Sequence, residues 1–110
     1  MPTKIGIADF SRVEMRVGKI LEAARIKKSD KLLKIQVDIG KEKRQVVAGI
    51  GKTYNPEDLI GRLVAVVVNL EPATLMGVES NGMIVAAEDV NEQLSLTTFA
   101  EPVEVGSRLR

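Results

Sequence analysis

Between Leu33 and Ile39 the chain alternates without a break: Leu33, Ile35, Val37 and Ile39 are apolar, while Lys34, Gln36 and Asp38 are polar. A period of two sends successive side chains to opposite faces, so this segment is a β-strand with one face buried. Upstream, Val13, Met15 and Val17 alternate with Glu14 and Arg16, and the phase slips after Gly18, where Ile20 and Leu21 are adjacent. The slip predicts a long strand bent at a glycine bulge. Downstream, Gly40-Lys41-Glu42-Lys43 reads as a hairpin connection and Gln45 to Ala48 as the returning strand. Leu63 to Val68 is an apolar, β-branched run, the pattern of a strand buried on both sides. Met83 to Ala87 and Leu94 to Thr98 are shorter strand candidates. Asn55-Pro56-Glu57-Asp58 predicts a helix of one or two turns, with Asn55 as its cap, Pro56 in the first turn and Gly61 as its end.

Three strands, a short helix and at least two more strands make an all-β order. A five-stranded barrel with a helix between strands 3 and 4 is the oligonucleotide-binding, or OB, arrangement. An SH3-like barrel is its main competitor. No internal repeat or low-complexity linker interrupts the chain, and residues 1–110 read as a single domain.

The segment "QVVAGIGKTYNPEDLIG", residues 45–61, imitates a phosphate-binding loop. Such a loop needs Gly-x-x-x-x-Gly-Lys-[Ser/Thr], and the position of its first glycine is Val46. The helix after the lysine is also too short, and a parallel sheet needs crossover helices that the strand-rich pattern does not supply. Gly49 and Gly51 instead let a strand end turn sharply, leaving Lys52 on the rim.

Composition narrows the chemistry. Apolar residues form 45% of the 110 and charged residues 28%, the balance of a globular domain with one core. No apolar run approaches the roughly 20 residues of a membrane span. Met1-Pro2 reads as a natural start, and no apolar signal core follows it. Cysteine is absent, which excludes disulfides and thiolate zinc sites and fits a reducing cytoplasm. Histidine is absent too, removing the usual general base and metal ligand. Glu57-Asp58 complement a helix dipole, and Glu88-Asp89 lack a third ligand for a metal. We therefore expect no catalytic residues, no metal and no cofactor.

The net charge of +1 conceals a division. Residues 25–52 carry nine basic side chains (Arg25, Lys27, Lys28, Lys31, Lys34, Lys41, Lys43, Arg44 and Lys52) against three acidic ones, a balance of +6. Residues 53–106 carry Arg62 against nine acids, a balance of −8. Such a dipolar chain can steer a polyanion to one side. The aromatics are Phe10, Tyr54 and Phe99, too few for a platform on which single-stranded bases stack. Recognition of backbone shape and charge is the alternative. Met15, Met76 and Met83 lie in or beside apolar segments, where a methionine is by default a core residue.

Several segments resemble one family. "DFSRVEMRVGKILEA" (9–23), "SDKLLKIQVDIGKEKRQVVAGIGKTYNPEDLIGRLVAVVVNL" (29–70), "LMGVESNGMIVAAE" (75–88) and "VEVGSRLR" (103–110) are similar to the tRNA-binding domains attached to methionyl-tRNA synthetases. The resemblance covers nearly the whole chain, and its combination of DKLLK, QVVAGI and LMGVESNGM is specific. It implies an OB-fold that binds tRNA by shape and adds affinity to a synthetase catalytic core on another chain or domain, as a beta subunit or C-terminal appendage.

The resemblance also implies a site. Its tRNA-facing positions match Asn69, Ser80 and Met83, with Met76 close by, and its basic positions match Lys31, Arg44 and Lys52. In that reading Asn69 and Ser80 donate to phosphate or ribose oxygens, and the residue 25–52 cations gather beside them. Where the family often has a basic loop, this chain has Glu71-Pro72-Ala73-Thr74, which puts contacts by that loop in doubt. The family further implies a cytoplasmic homodimer joined through residues 5–10 and 88–110. Ile5, Ile7, Phe10, Leu94, Leu96 and Phe99 can supply that contact or pack on their own barrel. The alternative within the same fold is a chaperone-like or scaffolding dimer that binds protein.

Overall fold

The computed structural model describes residues 3–110; the reading of Met1-Pro2 as a natural start lies outside them. After a short helix α1 (Ile7–Phe10), the three strands read from the alternation appear as β1 (Met15–Arg25), β2 (Leu33–Asp38) and β3 (Lys43–Ala48). β1 pairs antiparallel with β2, and β2 with β3. A 3₁₀ turn at Pro56–Asp58 leads to β4 (Leu63–Val67), which takes the other side of β1. A separate hairpin follows, β5 (Ala73–Leu75) with β6 (Val78–Ser80), before β7 (Met83–Ile84) pairs with β4. The strand order β3-β2-β1-β4-β7 is the OB barrel, with β7 as its fifth strand.

Two additions decorate the barrel. β8 (Ala86–Glu88) pairs with β9 (Leu94–Leu96), and β10 (Arg108–Leu109) pairs with the start of β1 at Met15 and Arg16. The predicted strand over Met83 to Ala87 is thus divided between the barrel and an outer hairpin.

The core follows the pattern that predicted it. Ile20, Leu33, Ile35, Val37, Val46, Leu59, Val64 and Val66 are completely buried. Each such side chain contributes about 1.5–3 kcal/mol relative to an exposed one. Leu94 and Leu96 pack against this cluster from outside, so these two apolar residues serve their own barrel.

Two local expectations are corrected. The bulge in β1 lies between Ile20 and Glu22, where Leu21 has no partner in β2, and not at Gly18. Gly18 keeps regular register with Val64; a Cβ there would stand 2.6 Å from Val37 Cγ1 and 2.7 Å from Val66 Cγ2. The glycine is needed because two core valines close over it. The predicted helix is a single 3₁₀ turn, and Asn55 makes no side-chain capping bond; Pro56 occupies the first turn as expected.

The C-terminal strap is tied to the barrel by close backbone contact. The Gly106 N–H donates to Val17 O (2.8 Å) and the Val17 N–H to Ser107 O (2.8 Å). Gly106 (φ +91°) also meets Gly40 (φ +102°) of the β2–β3 turn so closely that a Cβ on either would lie 2.8–3.0 Å from the other's Cα.

Candidate nucleic-acid interface

β3 and β7 are not ladder partners, so the barrel must close by other means. β3 does this mainly with side-chain bonds to residues 79–81. The Val47 N–H donates to Ser80 Oγ (2.9 Å), whose hydroxyl donates in turn to Gly82 O (3.2 Å). Gln45 Nε2 donates to Glu79 O (2.8 Å), and one backbone bond crosses, from the Asn81 N–H to Gln45 O (2.7 Å). Ser80 is 5% exposed, and its hydroxyl both accepts and donates within this seam rather than toward solvent. Gln45 was missed by sequence reasoning; the signal was an amide between charged and apolar residues of a strand.

Arg44 completes the seam. The register pairs it with buried Val37, on the same face as Val46 and Ala48, so its side chain starts from the core side of the ribbon. Its Nη1 donates to Val68 O (2.9 Å) and Asn81 O (3.3 Å), and Nη2 pairs with Glu42 Oε1 (2.8 Å). One guanidinium therefore holds both ends of the excursion that contains β5 and β6. Only 17% of the side chain is exposed, and Nε is buried without a partner.

Asn69, although exposed, is used at both ends of its amide. Oδ1 accepts from the Glu14 N–H (2.8 Å), and Nδ2 donates to Arg12 O (2.6 Å), fastening the segment before β1 to the end of β4. Glu14 pairs with Arg16 (2.7 Å), and this hydrogen bond, more than the charges of Arg16, Arg108 and Arg44, holds its carboxyl below the usual range. A cleft of about 650 Å³ adjoins these residues, and its wall sets Arg16, Lys41 and Arg44 against Glu14, Glu42 and Glu104. Three cations balanced by three carboxylates give no net attraction for a polyanion.

Lys31 and Lys52 lie at the other end of the β2–β3 ribbon. The Gly51 N–H donates to Lys31 O (2.7 Å), and Arg25 Nη1 donates to Gly51 O (2.9 Å), which brings Arg25, Lys31 and Lys52 together. Lys52 pairs with Asp30 (3.4 Å), an exposed contact of little energy. The expectation that the residue 25–52 cations gather beside Asn69 and Ser80 is therefore corrected. Lys41, Lys43 and Arg44 lie at one end of the ribbon, Arg25, Lys31 and Lys52 at the other, and Ser80, bonded to Val47, stands with Lys34 toward the second end. A six-residue strand spans about 20 Å, and that length separates the groups.

The methionines also depart from the core default. Met76 is 54% exposed and Met83 48% exposed. Met76 and Gly77 form the two-residue turn between β5 and β6, both at positive φ (+48° and +79°), and β5 is exposed along its whole length. The bonds from Ser80 to Val47 and from Asn81 to Gln45 run in opposite directions along the two segments. β6 is thus antiparallel to β3, and its tip is directed toward the end that carries Lys52. The 71–74 loop and the first hairpin strand share the exposed side, with Leu70 and Leu75 exposed as well.

Away from this surface, Ile7, Phe10, Val13 and Leu109 line a groove of about 420 Å³, with Ile7 78% exposed. Among the described residues no group of three or more His, Cys, Asp or Glu side chains is placed to hold a metal, and no helix is long and apolar enough to cross a membrane.

Comparison with known proteins agrees with the barrel. The family model described as "Putative tRNA binding domain" matches residues 15–108. A methionine–tRNA ligase of Methanoregula boonei is 55% identical over 106 residues, covering 96% of this chain and 16% of the ligase. The chain thus spans about one sixth of the length of the curated relatives it matches. A MetRS-related protein from Pyrococcus horikoshii has a TM-score of 0.94 at 38% identity, covering 99% of this chain and all of that one. The chaperone CsaA of Bacillus anthracis has a TM-score of 0.89 at 25% identity, covering 98% of this chain and all of that one. With matched residues reaching from the first barrel strand to the last strand of the strap, the chain belongs to the tRNA-binding domain family that also forms part of methionyl-tRNA synthetases.

Proposed function

We propose that the chain is a non-catalytic, shape-selective tRNA-binding module that raises the tRNA affinity of methionyl-tRNA synthetase, as a beta subunit or C-terminal domain. The observation that carries this reading is the family match over residues 15–108 together with relatives in which the matching segment is a small part of a methionine–tRNA ligase. In this reading the ligase chemistry belongs to another domain or chain, since the sequence offers neither His nor Cys and the matched relatives carry this segment as about one sixth of a ligase. The partners are tRNA, the synthetase catalytic chain or domain, and a second copy of this chain, in the cytoplasm.

Within the site, Lys31 and Lys52 neutralise phosphates while Met76 and Met83 lie against sugars or exposed bases. Asn69, Arg44 and Ser80 act from behind, by fixing the segments that carry those side chains. The test is a mobility-shift titration with tRNA and with unstructured RNA of equal length at several salt concentrations. Preference for tRNA and a steep fall of affinity with salt are expected, because each neutralised phosphate releases a counterion. Equal affinity for both RNAs, or no salt slope, rejects the reading. The similarity to CsaA supports the second reading, a chaperone-like protein-binding dimer, and binding of unfolded polypeptide without tRNA would favour it.

A further inference from the structure

The connection between β1 and β2 begins with a tight turn. The Ser29 N–H donates to Ile26 O (3.2 Å), with Lys27 and Lys28 as the two central residues. Lys28 has φ +68°. A positive φ at the third residue alone is the mark of a type II turn, a place suited to Gly or Asn, and any other side chain there is strained. The turn is nevertheless well held. Ser29 Oγ accepts from the Leu32 N–H (3.0 Å) and, more loosely, from the Lys31 N–H (3.4 Å). The loop's one carboxylate, Asp30, faces Lys52. Among the described residues no ion pair involves Lys27, Lys28 or Lys31.

Among the described residues three non-glycine residues have positive φ: Lys28, Met76 and Glu92. At Glu92 the hairpin turn explains the conformation, because Asp89 Oδ1 binds the N–H groups of Asn91 and Gln93 and Asp89 O accepts from Glu92. At Met76 the two-residue hairpin turn itself requires positive φ at both central residues, whereas Lys28 stands where a type II turn suits glycine. Each is the exposed tip of a loop bordering the β2–β3 ribbon. Those are the two loops with which OB barrels flank their nucleic-acid face. Strain kept at an exposed tip points to use of the side chain that sits there.

We propose that Lys28, presented with Lys27 by the strained 26–29 turn, is a phosphate-contacting residue of the tRNA surface, opposite the Met76 tip. The inference rests on the tRNA reading and adds to it a residue that the family resemblance did not single out. Strain makes the test unusual. Lys28→Gly fits the backbone better than lysine does, so loss of binding cannot be attributed to loss of fold. Lys28→Gly and Lys28→Asn should melt at or up to about 5 °C above the parent protein. Both should bind tRNA about five- to eightfold more weakly in 0.1 M salt, with a slope of log affinity on log salt shallower by about 0.7–0.9, one counterion fewer. Lys28→Arg should restore the slope, and Lys4→Gln, a cation removed elsewhere, should leave it unchanged. Parental affinity and slope in the glycine and asparagine variants would overturn the proposal while leaving the tRNA reading intact. A parent protein with no salt slope would instead remove that reading.

Discussion

Arg44 carries a full charge, yet its surroundings make it a fastener. Val68 O and Asn81 O have Arg44 Nη1 as a shared donor, and removing that donor leaves carbonyls at the barrel end without a side-chain partner. Lysine keeps the charge but not the planar fork that reaches these acceptors and Glu42 together. Arg44→Lys is therefore expected to destabilise the domain by about 1–3 kcal/mol, read by urea unfolding. Its tRNA affinity should fall while the salt slope stays that of the parent. In Arg44→Gln, which removes the charge, a slope lowered by about one would show instead that Arg44 itself meets a phosphate. Ser80 and Asn69 belong to the same class, since both spend their polar atoms on backbone groups. These three were singled out by resemblance to the family, which carries residue identities but does not show where a donor points. Exposure reverses the methionines: apolar neighbours suggested burial for Met76 and Met83, whereas the structure turns both outward.

At the scale of elements, the strap ending in β10 includes one backbone contact too tight for a side chain. A methyl group at Gly106 would meet Gly40 Cα at 3.0 Å and Ile39 O at 3.1 Å, on a backbone at φ +91°. Gly106→Ala is expected to cost about 1–3 kcal/mol of overpacking, with strain added, and to lower the melting temperature by roughly 4–15 °C. A melting temperature equal to the parent's would mean that the strap swings free at little cost. What the sequence made legible follows the same division between local and distant causes. β2 was plain because one of its faces is wholly buried, and β4 because β-branched residues fill both. The β5–β6 hairpin escaped notice because β5 has no buried face and its turn is Met76-Gly77, not the Asn-Gly that announces such turns. The pairing of β10 with β1 joins segments about ninety residues apart, and no local period records it.

For the molecule as a whole, polarity is arranged in two directions. One end of the β2–β3 ribbon carries Lys31 and Lys52, while the segment before β1 and the last strand leave an apolar groove uncovered. Ile7 and Phe10 in the groove are 78% and 42% exposed, and Ile5 nearby in sequence is 67% exposed. Burial of this groove against a second copy is the expected outcome in solution. Ile7→Glu combined with Phe10→Ser should halve the mass measured by light scattering and leave the melting of the barrel core cooperative. A parent protein of monomeric mass would discard the dimer. If the dimer forms and the proposed tRNA surface holds, one particle carries two such surfaces, and linkage raises their joint affinity only if a single tRNA reaches both.

The latch along β3 has a consequence for how the barrel breathes. Four of its five seams are runs of backbone bonds that give way together, but the fifth hangs on one hydroxyl, one amide, one guanidinium and a lone main-chain bond. Thermal fluctuations will part the cylinder along this line first. The flap that loosens is the β5–β6 hairpin with Met76 at its tip, while Met83 stays on β7 in its ladder with β4.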